Sequence, residues 1–161
     1  MARRLIEREA TASQQWLGDR MVGCPVHELR EKLRAADLRP TLQRIALGWL
    51  LFGRGNRHVT AETLHEEATT ARVPVSLATV YNTLRQFSEA GLLTEIGIDG
   101  SRTYFDTNTS RHHHFLLEDE RMLIDIPDGR VSIGALPEAP DGMEITQVDL
   151  VVRVRRKAEA P

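Results

Sequence analysis

One cysteine, Cys24, is all that the 161 residues contain, so no intrachain disulfide can form and no zinc site built from several thiolates is available. Long apolar runs are missing too. Nothing approaches the roughly 20 residues that cross a bilayer, and the N-terminus lacks the apolar centre of a secretory signal. The expectation is a soluble cytoplasmic protein with no membrane partner. Lysine is scarce, two residues against 19 arginines, which either suits bidentate phosphate contacts or reflects a GC-rich genome. Net charge is only −2, so composition alone announces no polyanion binder. Its distribution says more: residues 1–91 carry 13 basic and 10 acidic side chains, residues 92–161 eight and 13. A polyanion should meet the front half and a cation the back.

What is present centres on His112-His113-His114, followed by Phe115-Leu116-Leu117. In a strand, alternate side chains face opposite ways, so His112 and His114 would share one face and His113 the other. Neutral imidazole is a common metal ligand and an axial ligand of haem. A polar loop or an exposed strand end is the alternative, and the rest of the chain must decide. Histidine does not recur after His114.

Residues 1–25 read as a flexible arm ending in a Cys-Pro motif. Val26 to Leu38 carries Leu29 and Leu33 at helical spacing and should end before Pro40. Thr41 can cap a second helix whose stripe is Leu42, Ile45, Ala46, Trp49 and Leu50, with Arg44 off it. Thr60 caps a third, with Leu64, Ala68 and Ala71 inward and Glu62, Glu66 and Glu67 outward; Val73-Pro74-Val75 should stop it. Ser76 opens a fourth, with Leu77, Val80, Leu84 and Phe87 inward and Gly91 as its stop. Its other side displays Thr79, Asn82, Thr83 and Gln86, with Tyr81 and Arg85 beside them.

Leu92 to Ile98 and Arg102 to Asp106 then form a hairpin through Asp99-Gly100. Helices followed by a two-stranded hairpin are the order of a winged helix-turn-helix. In that architecture the last helix enters the major groove with short polar and aromatic side chains while nearby arginines hold phosphates. The alternatives are a solvated polar face and a protein-interaction module. Phe115 to Leu117, Met122 to Ile126 and Val148 to Val154 are further strands, the last with Val148, Leu150, Val152 and Val154 on one face. So small a unit buries little by itself, which predicts dimerisation or a metal.

Leu38-Arg39-Pro40-Thr41-Leu42-Gln43-Arg44, His58-Val59-Thr60-Ala61-Glu62, Ser76-Leu77-Ala78-Thr79-Val80-Tyr81-Asn82-Thr83-Leu84 and the histidine triple resemble, in order and spacing, the ferric uptake regulator family over about residues 27–126. The resemblance implies an α+β protein: an N-terminal winged-helix DNA-binding domain (residues 26–107) and a small C-terminal α/β dimerisation and effector-sensing domain (residues 108–161). It implies a homodimeric transcription factor bound to double-stranded operator DNA, not an enzyme. DNA contacts then fall to Arg39, Arg44, Ser76, Thr79, Tyr81, Asn82 and Arg85, with Asn82 standing where the family commonly has arginine. A regulatory metal site is implied at His58, Asp106, His113 and Asp125, suited to iron(II), manganese(II) or zinc, and a second at His112 and His114.

The chain lacks the paired Cys-x-x-Cys of structural zinc, and Gly23-Cys24-Pro25-Val26 is similar to the haem regulatory motif of the family's iron response regulator branch. Cys24 thiolate can ligate ferric haem, and Pro25 forces an extended approach that leaves the sulfur accessible. The resemblance therefore implies a haem-binding regulator of iron homeostasis and haem biosynthesis genes, with Cys24, His112, His113 and His114 as haem ligands. It would lose DNA binding, or be degraded, when haem engages. The competing expectations are a repressor responding to a metal ion or peroxide, and a haem or metal carrier without an operator.

Overall fold

The computed structural model describes residues 25–98 and 102–157. Residues 1–24 of the expected arm, Cys24 among them, lie outside the described residues, as does the tip of the expected hairpin; Pro25 and Val26, the rest of the expected haem motif, open a helix instead of continuing an extended arm. The chain divides into two compact units, residues 1–109 and 110–161.

The first unit runs α1 (Pro25–Ala35), α2 (Leu42–Phe52), β1 (His58–Val59), α3 (Ala61–Thr70), α4 (Leu77–Glu89), β2 (Thr94–Ile98) and β3 (Arg102–Asp106). Thr41, Thr60 and Ser76 have extended backbones and accept the amide three residues on, from Arg44, Thr63 and Thr79 at 3.3, 3.2 and 3.1 Å. Each hydroxyl satisfies one of the amides that a helix start leaves open. Three helices also end alike: Asp37, Arg72 and Gly91 take φ of 61°, 58° and 72°. The next amide then reaches back five residues at 2.8 Å, Leu38 to Leu33, Val73 to Ala68 and Leu92 to Phe87. That is the Schellman stop, so α1 and α3 are ended by left-handed Asp37 and Arg72, short of the prolines expected to stop them.

The core unites Leu29 and Leu33 of α1, Leu47, Leu50 and Leu51 of α2, Leu64 and Ala68 of α3, Val80, Leu84 and Phe87 of α4, and Leu93 and Phe105 from the sheet. The expected stripe of α2 is rotated: Leu42 is 83% and Trp49 44% exposed, while Leu47, Gly48 and Leu51 are buried. Gly48 sets this phase, because a Cβ there would stand 3.0 Å from Leu29 Cδ1. A glycine inside α2 lets α1 approach closely. Arg44, one turn ahead of Leu47 and Gly48, therefore lies on the inward side. Leu77 and Ala71 are exposed instead of buried, and Thr83 belongs to the core.

β3 lies between β1 and β2, antiparallel to both. The unit is a helix-turn-helix core with a sheet whose β2–β3 arm forms the wing. In the second unit, β4 (His113–Leu117) pairs antiparallel with β5 (Met122–Ile126) and parallel with β6 (Val151–Val154). β6 is shorter than expected, since Val148 lies outside it and is 38% exposed. Leu116 opposite Leu123, with Ile126 and His114, is what this sheet buries. Together the units make an α+β chain.

Candidate metal centre and nucleic-acid interface

α4 projects Ala78, Tyr81, Asn82 and Arg85 into solvent along one line, at helical spacings of three and four. Among the described residues Arg85 reaches Glu89, one turn on at 3.7 Å. Of the expected polar face, Thr83 is buried, and Thr79 is half-buried with its hydroxyl 2.9 Å from that of Ser76. Ser76 and Thr79 thus form the helix start, and the outward surface is Tyr81, Asn82 and Arg85.

Arg44 is engaged within the unit. Its Nε and Nη2 donate to Gln86 Oε1 at 3.2 and 2.8 Å, and Nη1 donates to the Arg39 carbonyl at 2.8 Å. Arg44 thereby ties the segment carrying Arg39 to α4. A guanidinium has five N–H donors, so among the described residues two of them are left over. Arg39 itself is exposed. Residue spacing alone does not reveal the Gln86 bond, because Gln86 and Arg44 are 42 positions apart.

Glu62 is a second residue that the sequence expectations left on a solvated face. The Tyr81 hydroxyl donates to Glu62 Oε1 at 3.1 Å. A backbone hydrogen bond at the start of α3 holds the Glu62 carboxyl below its ordinary pKa against some desolvation, with Tyr81, Thr60 and Arg102 also lowering it. Partial burial, and then Glu62 itself, push the Tyr81 phenol above its usual value.

The expected metal ligands of the first unit, His58 and Asp106, are direct partners across β1 and β3. His58 Nε2 stands 3.3 Å from Asp106 Oδ2, and the Asn108 amide donates to Asp106 Oδ1 at 2.8 Å. Asp106 is fully buried. Next door, the Arg57 guanidinium pairs with Glu67 of α3 and donates to the Leu50 carbonyl of α2 at 3.2 Å. Its amide and carbonyl meet Thr107 at 2.8 and 3.1 Å. Glu67, expected to face outward, is instead part of this strut between helices and sheet.

In the second unit the register corrects the expected grouping. Asp125 is opposite His114, whereas His113 is opposite Ile126. Directly opposed residues share a face of the sheet, so Asp125 belongs with His114, and His113 points to the other side. Asp125 Oδ1 lies 3.1 Å from His112 Nε2 and 3.8 Å from His114 Nε2. These three donor atoms lie within 4.8 Å of one another. His113 Nδ1 is buried with no hydrogen-bond partner among the described residues.

His112 Nδ1 is 2.8 Å from the Ser110 carbonyl. A carbonyl oxygen only accepts, so Nδ1 carries the proton; in the neutral ring Nε2 is then an acceptor facing a carboxylate oxygen. Two acceptors 3.1 Å apart need a proton or a cation between them. An imidazole anchored through its other nitrogen is also how metal-bound histidines are held. This donor set, two imidazoles and a carboxylate, fits a borderline divalent ion.

Residues 35–152 match the family model described as the ferric uptake regulator family. The ferric uptake regulation protein of Pseudomonas aeruginosa is 33% identical over 128 residues, covering 78% of this chain and 96% of that protein. The peroxide-responsive repressor PerR of Staphylococcus aureus is 34% identical over 102 residues, 62% of this chain and 68% of that one. Among solved structures, the ferric uptake regulator from P. aeruginosa with manganese is 29% identical, with a TM-score of 0.61 over 81% of this chain and 98% of that one. The Vibrio cholerae regulator, 23% identical, agrees in fold at a TM-score of 0.63 over 79% of this chain and 98% of that one. With winged-helix unit, histidine strand and matched span in agreement, the chain is a member of the ferric uptake regulator family, whose members are metal-responsive, DNA-binding transcription regulators.

Proposed function

We propose that the chain is a homodimeric repressor whose affinity for operator DNA rises when it binds iron(II), manganese(II) or zinc. The observation that carries this reading is the convergence of His112 Nε2 and His114 Nε2 on Asp125 Oδ1, with His112 anchored through its other nitrogen. Within the second unit the proposed ligands are His112, His114 and Asp125; within the first, His58 and Asp106 offer a donor pair. His113 drops out of this reading because it leaves the face that Asp125 occupies. The ion would supply the positive charge that lets a carboxylate and two imidazole nitrogens stay close.

The proposed DNA contacts are Tyr81, Asn82 and Arg85 on α4 for bases and phosphates, Arg39 for the minor groove, and the two spare donors of Arg44 for a phosphate, with Ser76 and Thr79 at the helix start. A helix N-terminus offers amides and a positive dipole end to phosphate. Within the first unit, the Arg57 strut connects the strand carrying His58 to α2 and α3, so a cation held by the His58–Asp106 pair would act on the helices. Ile133, Leu136, Met143 and Ile145 are 42–70% exposed in the second unit, which suits pairing with a second copy.

Selection from randomised duplexes tests the proposal without a known operator. Retention should rise with manganese(II), enrich one sequence class, and fall steeply with salt. Equal retention with and without metal overturns it.

A second reading rests on Gly23-Cys24-Pro25-Val26 and the missing zinc cysteines. In it the chain resembles the iron response regulator branch: haem engages Cys24 and the His112–His114 stretch and releases DNA at iron-homeostasis and haem biosynthesis genes. A thiolate-type haem absorption band lost in Cys24→Ala would support it. The carboxylate set against His112 and His114 favours the divalent ion.

A further inference from the structure

On the proposed DNA-facing side, Tyr81 is paired with a residue that no DNA-contact expectation includes, Glu62. Glu62, on the first turn of α3, accepts a hydrogen bond from the Tyr81 hydroxyl at 3.1 Å. An acid beside a polyanion's docking face repels it, so its presence there calls for a compensating job. Phenol oxygen is both donor and acceptor, whereas an ionised carboxylate only accepts. The bond between them therefore has one direction.

We propose that Glu62 fixes the hydrogen-bonding polarity of Tyr81, so that Tyr81 offers the major groove an acceptor only and selects a base with an exocyclic amine, adenine or cytosine. The inference rests on the reading of Tyr81 as a base-contacting residue. The groups around Glu62 keep the direction fixed. The α3 start and Arg102 of β3 favour the carboxylate, and Thr60 adds a further hydrogen bond. The phenol in turn keeps its proton through neutral pH. With the only hydroxyl proton committed to Glu62, the outward side of the oxygen carries lone pairs. Adenine N6 and cytosine N4 present donors in the major groove; guanine O6 and thymine O4 present acceptors. Glu62 is thus a positioning residue that acts on sequence choice through Tyr81, with no contact of its own to a base.

The test compares the full chain with its Glu62→Gln, Tyr81→Phe and double variants in selection from randomised duplexes with manganese(II) present. The parent should show one base position restricted to adenine or cytosine, and Tyr81→Phe should erase that restriction. Glutamine can donate to the phenol as well as accept from it, which frees the Tyr81 proton to turn toward the groove. Glu62→Gln should therefore admit guanine or thymine at the same position, with a roughly tenfold change in preference, the scale of a base-edge hydrogen-bond contact. The double variant should match Tyr81→Phe. If Glu62→Gln keeps the restriction that Tyr81→Phe loses, the inference falls and the Tyr81 contact stands. A guanine or thymine preference of the parent at that position also overturns it. If Tyr81→Phe selects the parent's sequences, or the parent selects none, the base-contact reading falls and takes the inference with it.

Discussion

The two units differ in what fills their centres. In the first, Leu33, Leu47, Leu51, Leu64, Leu84 and Phe87 are wholly shielded from solvent and belong to one cluster of helices and sheet. In the second, Leu116, Leu123 and Ile126 retain 5–6% exposure, and a histidine, His114, is as buried as they are. Apolar packing is proportional to the area removed from water, so the first unit holds itself together. The second places polar donors where the first places leucines. A unit built that way has a low apolar reserve and should respond to whatever its donors bind.

Core deletion should expose this difference most. Phe87→Ala should cost about 3–5 kcal/mol in urea unfolding, and Leu116→Ala nearer the ~2 kcal/mol floor for a leucine deletion. Equal costs would break the contrast.

Next comes the metal. At about a hundred times its Kd, manganese(II) should add roughly 2.7 kcal/mol to the stability of the species that binds it. Asp125→Asn should abolish that gain, with affinity falling beyond the ~10–100-fold that loss of an outer partner costs. His113→Ala should leave it intact; a matching loss there would return His113 to the site.

Smaller effects sharpen the first unit's use of polar groups. Gln86→Ala should cost about 1.5 kcal/mol, the lower range for a hydrogen bond to a charged group, and leave the salt dependence of DNA binding unchanged. Arg44→Ala should also reduce the salt slope by about one, as expected for one lost phosphate contact. An unchanged slope would make Arg44 a purely internal tie. Ser76→Ala should cost about 1 kcal/mol as a lost helix cap, measurable by thermal or urea unfolding.

How much of this is legible in the chain depends on the range of the interaction. The caps at Thr41, Thr60 and Ser76 are local, one hydroxyl meeting an amide three residues on, and their residue types announce them. The wing strands follow from alternation around Asp99-Gly100. The phase of α2 is not legible: Ala46 to Phe52 is apolar on every side apart from Gly48, so any rotation buries something, and only the fit of Gly48 against Leu29 chooses one. Arg44 changes from an outward residue to an inward one by that rotation alone. The same limit governs the histidines. Alternation separates His113 from His112 and His114, but which of them meets Asp125 depends on a strand register that no spacing encodes.

The class of the protein is written along the chain: one thiol, a winged-helix order of elements, and imidazoles followed by acids. It is legible there because caps, turns and periodicity act within a few residues. Which donors converge is a matter of packing and strand register. The tertiary structure set Asp125 against His112 and His114, Gln86 against Arg44 and Glu62 against Tyr81, since each of these pairs is made by packing or pairing elements far apart along the chain.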